Sequence, residues 1–232
     1  MKSLAVKAIA SIIKTISPLR WKEFNELHYW RARKKAERVL SNEHYKHFYT
    51  THFGLSGSFY ANKVILDIGC GPRGSLEWAS MAARCIGLDP LAKEYLRLGA
   101  DRHNMEYVDA PAEKIPLKNA ECDAVFSFNS LDHVADIGQA IKEIKRVTRA
   151  NGVFLVLVEI NHFPTDCEPH FITPKGLIES LKPEFVCESV AVYKPVCPGI
   201  YDAIIADDRF PDPENANELG YLSARFRRED NS

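Results

Sequence analysis

The stretch Lys63 to Trp78, K-V-I-L-D-I-G-C-G-P-R-G-S-L-E-W, constrains this chain more than any other. Val64 to Ile68 is an aliphatic, partly β-branched run with a carboxylate near its end, the profile of a strand buried on both faces. Gly69, Gly71 and Gly74 follow at the G-x-G-x-x-G spacing, and a helix is predicted from Ser75 to Arg84. Glycines there permit a tight turn out of a strand and leave bare backbone against which a ligand can lie. Several nucleotide-binding families share the spacing, so the turn predicts a ligand without naming it.

Downstream, short apolar strands alternate with helical patterns. Cys85 to Leu88 is a predicted strand ending at Asp89, 22 positions after Asp67, and further strands are expected at Met105–Val108, Asp123–Phe128 and Val153–Ile160. Leu91 to Leu98 reads as a helix, and Ile137, Ala140, Ile141, Ile144 and Val147 trace another, with Asn151-Gly152 as its left-handed stop. Such alternation predicts a parallel sheet covered on both faces, with ligands at the carboxyl ends of its strands. The polar segments Asp109–Leu117 and Asn129–His133 fall at those ends. Thr173-Pro174 opens a further helix, Gly176 to Leu181. Phe185–Tyr193 is a sixth strand, and Gly220–Phe226 reads as a last strand that points Tyr221, Ser223 and Arg225 outward. Between those two lies a long insertion, residues 194–219, expected to act as a lid or substrate wall, with Tyr201 a candidate selectivity residue.

The net charge of -1 conceals an asymmetry. Residues 1–63 hold twelve Lys/Arg and four Asp/Glu, or +8; the remainder holds 18 basic and 27 acidic residues, or -9. Ala5, Ile9, Ile12, Ile16 and Leu19 recur at helical spacing opposite Lys7 and Lys14, and Trp21 to Leu40 continues as helix. The division expected is a basic helical extension or cap, residues 1–60, on a ligand-binding domain, residues 61–232. A solvated surface, a membrane-surface helix and a presequence are the other readings of that basic start. His44, His47 and His52 lack a carboxylate or cysteine in register and read as surface residues, and His162, Cys167 and His170 only mimic a zinc set. Six scattered cysteines without a C-x-x-C pair suit reduced thiols and a cytoplasmic location. No apolar run reaches the roughly 18–20 residues that cross a bilayer.

Five ordered motifs carry a family resemblance over about residues 60–194: L-D-I-G-C-G (Leu66–Gly71), G-L-D-P (Gly87–Pro90), A-E-K-I-P (Ala112–Pro116), F-S-F-N-S-L-D-H-V (Phe126–Val134) and A-N-G-V-F-L (Ala150–Leu155). In these the chain resembles the class I S-adenosylmethionine-dependent methyltransferases of type 11. The resemblance implies a Rossmann-like, doubly wound α/β fold: a seven-stranded sheet, mostly parallel with an antiparallel last strand. It implies S-adenosyl-L-methionine as donor, its methionine part along Gly69 and Gly71 and its ammonium group near Asp67. Asp89 would take the ribose hydroxyls, Pro90 or Leu91 would pack on the adenine, and Ala112 and Glu113 would flank the adenine edge. Asn129 would lie under the methionine. Pro111 stands where many relatives carry an acid.

An oxygen acceptor usually needs a base in reach, with histidine suited near neutral pH, and His133 on the fourth-strand loop is the first catalytic candidate. Glu168 and His170 are the next, from the segment Asn161 to His170 after the fifth strand, which also holds His162 and Asp166. The plainer reading is that these residues cap a helix or brace a loop. Asn129-Ser130-Leu131-Asp132 differs from the Asn/Asp-Pro-Pro-Tyr of enzymes acting on nucleic-acid bases, so a small-molecule acceptor is expected and nucleic acid is not. The function expected is methyl transfer to an oxygen of a small molecule, without a metal. The alternatives are a non-catalytic donor-fold scaffold, a membrane-associated binding protein touching the bilayer through the basic helix, and an NAD-dependent dehydrogenase.

Overall fold

The computed structural model describes residues 18–42 and 45–230, with side chains from Trp21 onward. The amphipathic pattern over residues 5–19 and the His44 candidate lie outside that description. Seven strands form one sheet: β1 (Val64–Ile68), β2 (Arg84–Asp89), β3 (Glu106–Asp109), β4 (Cys122–Phe128), β5 (Thr148–Ile160), β6 (Phe185–Tyr193) and β7 (Gly220–Arg228), in the order β3-β2-β1-β4-β5-β7-β6. β7 is antiparallel to both neighbours, while β1 to β5 pair in parallel. The order reverses at β1 and β4, and a crevice opens beyond their carboxyl ends.

Each face of the sheet buries a separate apolar layer. On one face α4 (Ile137–Val147) and α5 (Pro174–Leu181) set Ile141, Ile144, Leu177 and Leu181 against Leu66, Val125, Phe154 and Phe226. Asp136 caps α4 by accepting from Gln139 N at 3.0 Å, and Thr173 caps α5 by accepting from Gly176 N at 3.0 Å. The other face is covered by α2 (Lys46–Tyr49), residues 50–60 and α6 (Ile200–Ala206): Phe48, Tyr49, Phe53, Tyr60 and Ala203 pack on Ile65, Phe126 and Leu157. α1 (Pro18–Glu37) touches the sheet's rim, where Leu27 and Trp30 meet Tyr95 of α3 (Ala92–Arg97). Among the described residues no helix is long and apolar enough to cross a membrane.

Three local expectations differ from the structure. Residues 75–84 form successive tight turns, with Glu77 N donating to Gly74 O, Ala79 N to Leu76 O and Ala82 N to Ala79 O at 2.9–3.1 Å, instead of a helix. The face such a helix would cover is already filled by aromatics, with Tyr60 edge-on to Trp78 at 5.2 Å. α4 stops at Thr148, whose Oγ1 donates to Ile144 O at 2.7 Å; Asn151, at φ 59°, turns the chain within β5 and does not end the helix. Ser223 is buried, because the covering segment brings the His52 ring to 2.7 Å from its hydroxyl. Residues 194–219 include α6, whose Ile200 and Ile204 are buried in the covering layer.

Candidate active site

A cavity of about 890 Å³ opens at the carboxyl ends of β1, β2 and β4. Its floor is the glycine turn. Gly69 (φ 72°) and Gly71 (φ 58°) occupy the left-handed region. A Cβ on Gly69 would stand 2.3 Å from the Cβ of Ser130, and one on Gly71 would stand 3.4 Å from the Trp30 ring. Bare backbone is therefore a steric requirement at the first position. Gly69 N donates to Leu88 O at 2.8 Å and Ser130 Oγ donates to Ile68 O at 2.7 Å, which lock the turn to β2 and to the β4 loop.

Two carboxylates border this floor, and both are almost wholly buried: Asp67 is 2% exposed and Asp89 3%. Burial pushes the Asp67 carboxyl up to about 7, against the opposing pull of the Tyr49 hydroxyl, which donates to Oδ2 at 3.0 Å. Burial also raises Asp89, the nearby Glu26 carboxylate adds to the effect, and the Leu91 and Gly71 amides oppose it at 2.9 and 3.3 Å. Among the described residues no lysine or arginine forms an ion pair with either acid. A buried carboxylate without a counter-charge is costly, so the floor is electrostatically prepared for a cationic ligand.

The remaining expected donor contacts surround the same cavity. Pro90, Leu91, Pro111 and Ala112 supply an apolar slot beside Asp89. Asn129 lines the wall at φ 53°, its amide donating to Leu157 O at 2.7 Å. Glu113 also borders the cavity, but its Oε1 accepts from the Ala135 and Asp136 amides at 2.6 and 2.9 Å. That carboxylate thus holds the entry to α4. Of the acceptor-side candidates, His133 lines the cavity. Its Nε2 lies 3.8 Å from Glu168 Oε1 and 3.9 Å from Asp132 Oδ2. His170 stands outside the cavity lining, its Nε2 donating to Val134 O at 2.8 Å, so it joins the β5 loop to the β4 loop. Nor does the lining include His162, Asp166 or Glu168, whereas Cys167 belongs to it. His47 and His52 engage Thr51 and Ser223 and do not converge on a common point with a carboxylate.

Several lining residues have no motif to announce them. α1 contributes Lys22, Glu26, Tyr29 and Trp30, a helical face whose i, i+4, i+7 spacing is visible in the sequence but whose docking partner is not. Glu26 accepts from the Tyr95 hydroxyl at 2.9 Å, and Arg73 lies over the Trp30 ring at 5.5 Å while bonding Glu37 at 2.8 Å. Tyr45, Tyr49, Phe128 and Tyr201 form an aromatic wall, in which Tyr45 and Tyr201 stack at 4.5 Å. Tyr49 and Tyr201 arrive from opposite ends of the chain, which no local pattern foretells.

A doubly wound sheet with a ligand cradle at its switch point defines a Rossmann-like binding domain. Residues 66–156 match the family model described as methyltransferase domain. A sterol 4-C-methyltransferase of Caenorhabditis elegans is 30% identical over 149 residues, 60% of this chain and 42% of that relative. A malonyl-[acyl-carrier protein] O-methyltransferase of Pseudescherichia vulneris is 36% identical over 93 residues, 38% of this chain and 36% of that relative. The matches thus span about two-fifths of the curated relatives' length. Among solved structures, an S-adenosylmethionine-dependent methyltransferase from Mesorhizobium loti shares the fold at a TM-score of 0.54 and 21% identity, over 73% of this chain and 92% of that one. Geranyl diphosphate C-methyltransferase from Streptomyces coelicolor A3(2) does so at 0.55 and 16%, over 77% and 74%. Residues 66–156 thus match a methyltransferase domain, on a fold shared with solved S-adenosylmethionine-dependent methyltransferases. The chain's residues fit the donor of that class: a cradle that a Cβ would fill, two buried acids without a counter-ion and an apolar slot.

Proposed function

We propose that this chain transfers a methyl group from S-adenosyl-L-methionine to an oxygen of a small-molecule acceptor. The observation that carries the donor half is the pair of buried, cation-free carboxylates Asp67 and Asp89 on a bare glycine floor. A donor with an ammonium group and a sulfonium centre supplies the missing positive charge, whereas a dinucleotide's pyrophosphate would add repulsion. When bound, the donor offers an electrophilic methyl carbon. The chain's own task is then placement more than heavy catalysis.

In this reading Asp67 holds the ammonium, Gly69, Gly71 and Asn129 run along the methionine part, and Asp89 takes the ribose. Leu91, Pro90 and Ala112 enclose the adenine, with Glu113 positioning their loop through the α4 amides. The Tyr45–Tyr201 wall receives the apolar body of the acceptor. His133, with Glu168 beside it, faces the acceptor oxygen and can accept its hydrogen bond. His170 holds that loop in register. The relatives' names include both carbon and oxygen methylation on small or carrier-linked acceptors, which is compatible with the acceptor class and leaves the oxygen assignment to the His133 end of the cavity.

Residues 1–60 act in this proposal as a cap on the domain of residues 61–232, and α1 closes the cavity over the donor. The six unpaired cysteines suit a cytoplasmic enzyme. Calorimetry with S-adenosylmethionine and S-adenosylhomocysteine tests the donor half: saturable binding of both is expected, and binding of neither would favour a non-catalytic scaffold. Deleting residues 1–40 should abolish turnover while the core still unfolds cooperatively. Full activity in that truncated chain would overturn the cap.

A further inference from the structure

Beyond the donor floor, the carboxyl ends of β4 and β5 bring a second group of ionisable side chains together. Leu131–His133 is a single 3₁₀ turn after β4, and Glu168 belongs to the loop that follows β5. One ligand-type atom each from Asp132, His133 and Glu168 lies within 4.8 Å of the others. The His133 ring is at 3.8 and 3.9 Å from the two carboxylates, outside hydrogen-bond range of both. We propose that Asp132, His133 and Glu168 bind a divalent first-row transition cation beside the cavity, at the edge where His133 lines it.

The spacing agrees with that chemistry. Metal–ligand bonds to imidazole nitrogen and carboxylate oxygen are about 2.0–2.2 Å, which sets neighbouring ligand atoms roughly 3.0–3.5 Å apart in tetrahedral or octahedral arrangements. The two His133 separations, 3.8 and 3.9 Å, need a contraction of about 0.3–0.9 Å, and the two carboxylates, within 4.8 Å of one another, must close by up to about 1–2 Å. One imidazole and two carboxylates form a borderline-hard donor set suited to zinc, manganese or cobalt. Three protein ligands also leave open positions for a ligand from the cavity, as catalytic sites do.

The second observation is independent of the clustering. Asp132 is 2% exposed, and its Oδ1 has no hydrogen-bond partner. A carboxylate taken out of water with a bare oxygen costs several kcal/mol unless a cation or donor meets it. His162 is itself buried. Its Nδ1 donates to Phe163 O at 3.0 Å, so its Nε2 carries the lone pair, and that atom too is unpartnered. The carbonyl bond fixes the ring in the tautomer a metal ligand needs. Lys22 is the cation already near: it donates to His133 O. A single positive charge leaves two carboxylates undercompensated. The arrangement departs from the metal-free expectation of the sequence, which had no way to bring Glu168 to the β4 loop.

The inference rests on the proposed reading for its role, since the open positions would take an oxygen of the acceptor, but cation binding stands apart from donor binding. The test uses the full chain, stripped with chelator and dialysed, and titrated with Co²⁺ by visible absorption and with Zn²⁺ by calorimetry. One equivalent should bind saturably. Loss of an outer-shell partner already weakens metal sites about 10–100-fold, so Glu168→Gln and Asp132→Asn should each weaken binding by at least about tenfold. Glu168→Gln, at a half-buried position, is the variant expected to fold without change, checked by retained S-adenosylhomocysteine affinity. No saturable binding to the wild type up to about 1 mM, or wild-type affinity in both variants, would overturn the site. S-adenosylhomocysteine binding without metal binding would remove the cation site and leave the donor reading intact. Metal binding lost in both variants, with no S-adenosylhomocysteine binding to the wild type, would do the reverse.

Discussion

Replacing Asp67 by asparagine should stabilise the ligand-free protein and weaken it as a donor-binding protein at the same time. The carboxyl is 2% exposed and titrates at about 7 in the folded chain against 3.8 for the free side chain. The folded state therefore holds the proton more tightly than the unfolded state. Stability from that proton is fully present below about pH 4 and is lost progressively as pH rises through about 7. A shift of roughly three units corresponds to about 4 kcal/mol at 1.36 kcal/mol per unit, an upper bound because the site can relax or admit water. Asparagine keeps the shape and can still accept from Tyr49, now 3.0 Å from Oδ2, without ever bearing the charge. The gap in melting temperature between Asp67→Asn and wild type should widen from pH 4 to pH 7 and stay level above, reaching at most about 8–16 °C at about 2–4 °C per kcal/mol. Affinity for S-adenosylhomocysteine at pH 8 should fall by about 1–3 kcal/mol, the worth of a charge-assisted bond to an ammonium group. Scanning fluorimetry over this pH range, with and without S-adenosylhomocysteine, reads both effects. A variant less stable than wild type at pH 8, or one binding the ligand as tightly, would refute the argument that this acid waits for a cation.

Three further outcomes follow from the same geometry. Asp89→Ala should weaken donor affinity by about 1–3 kcal/mol in calorimetry, and unchanged affinity would mean that the ribose is held elsewhere. Gly69→Ala adds a methyl 2.3 Å from the Ser130 Cβ at a φ of 72°, and should cost at least about 2 kcal/mol in denaturant unfolding as well as donor binding. Glu113→Ala removes the acceptor of the Ala135 and Asp136 amides, and should lower stability by about 1 kcal/mol. Its donor affinity should change less than that of Asp89→Ala, because the Glu113 carboxylate faces α4.

How much of this was legible in the chain can be argued residue by residue. β1, the turn Gly69–Gly74, Asp89 at the end of β2, and the caps Thr173-Pro174 were readable, because each is set by neighbours in sequence: apolar runs, glycine spacing, a hydroxyl before a proline. The helix predicted over residues 75–84 was apolar at compatible positions, yet the structure turns there. Its space belongs to Tyr49 and Tyr60, and a local pattern cannot register competition from residues about 20 positions away. Ser223 looked like a surface position for the same reason.

The site divides along that line. Local sequence alone determined where the glycine cradle must be, since a bare, left-handed glycine turn after a buried strand is a property of a few consecutive residues. Only the tertiary structure decided what faces it: that α1 lays Glu26 and Trp30 over the cradle, that Tyr201 stacks on Tyr45, that Glu113 turns to α4, and that Glu168 meets Asp132 and His133. Those partners are joined by burial and charge across long stretches of chain, and such contacts exist only once the sheet has placed its strand ends side by side.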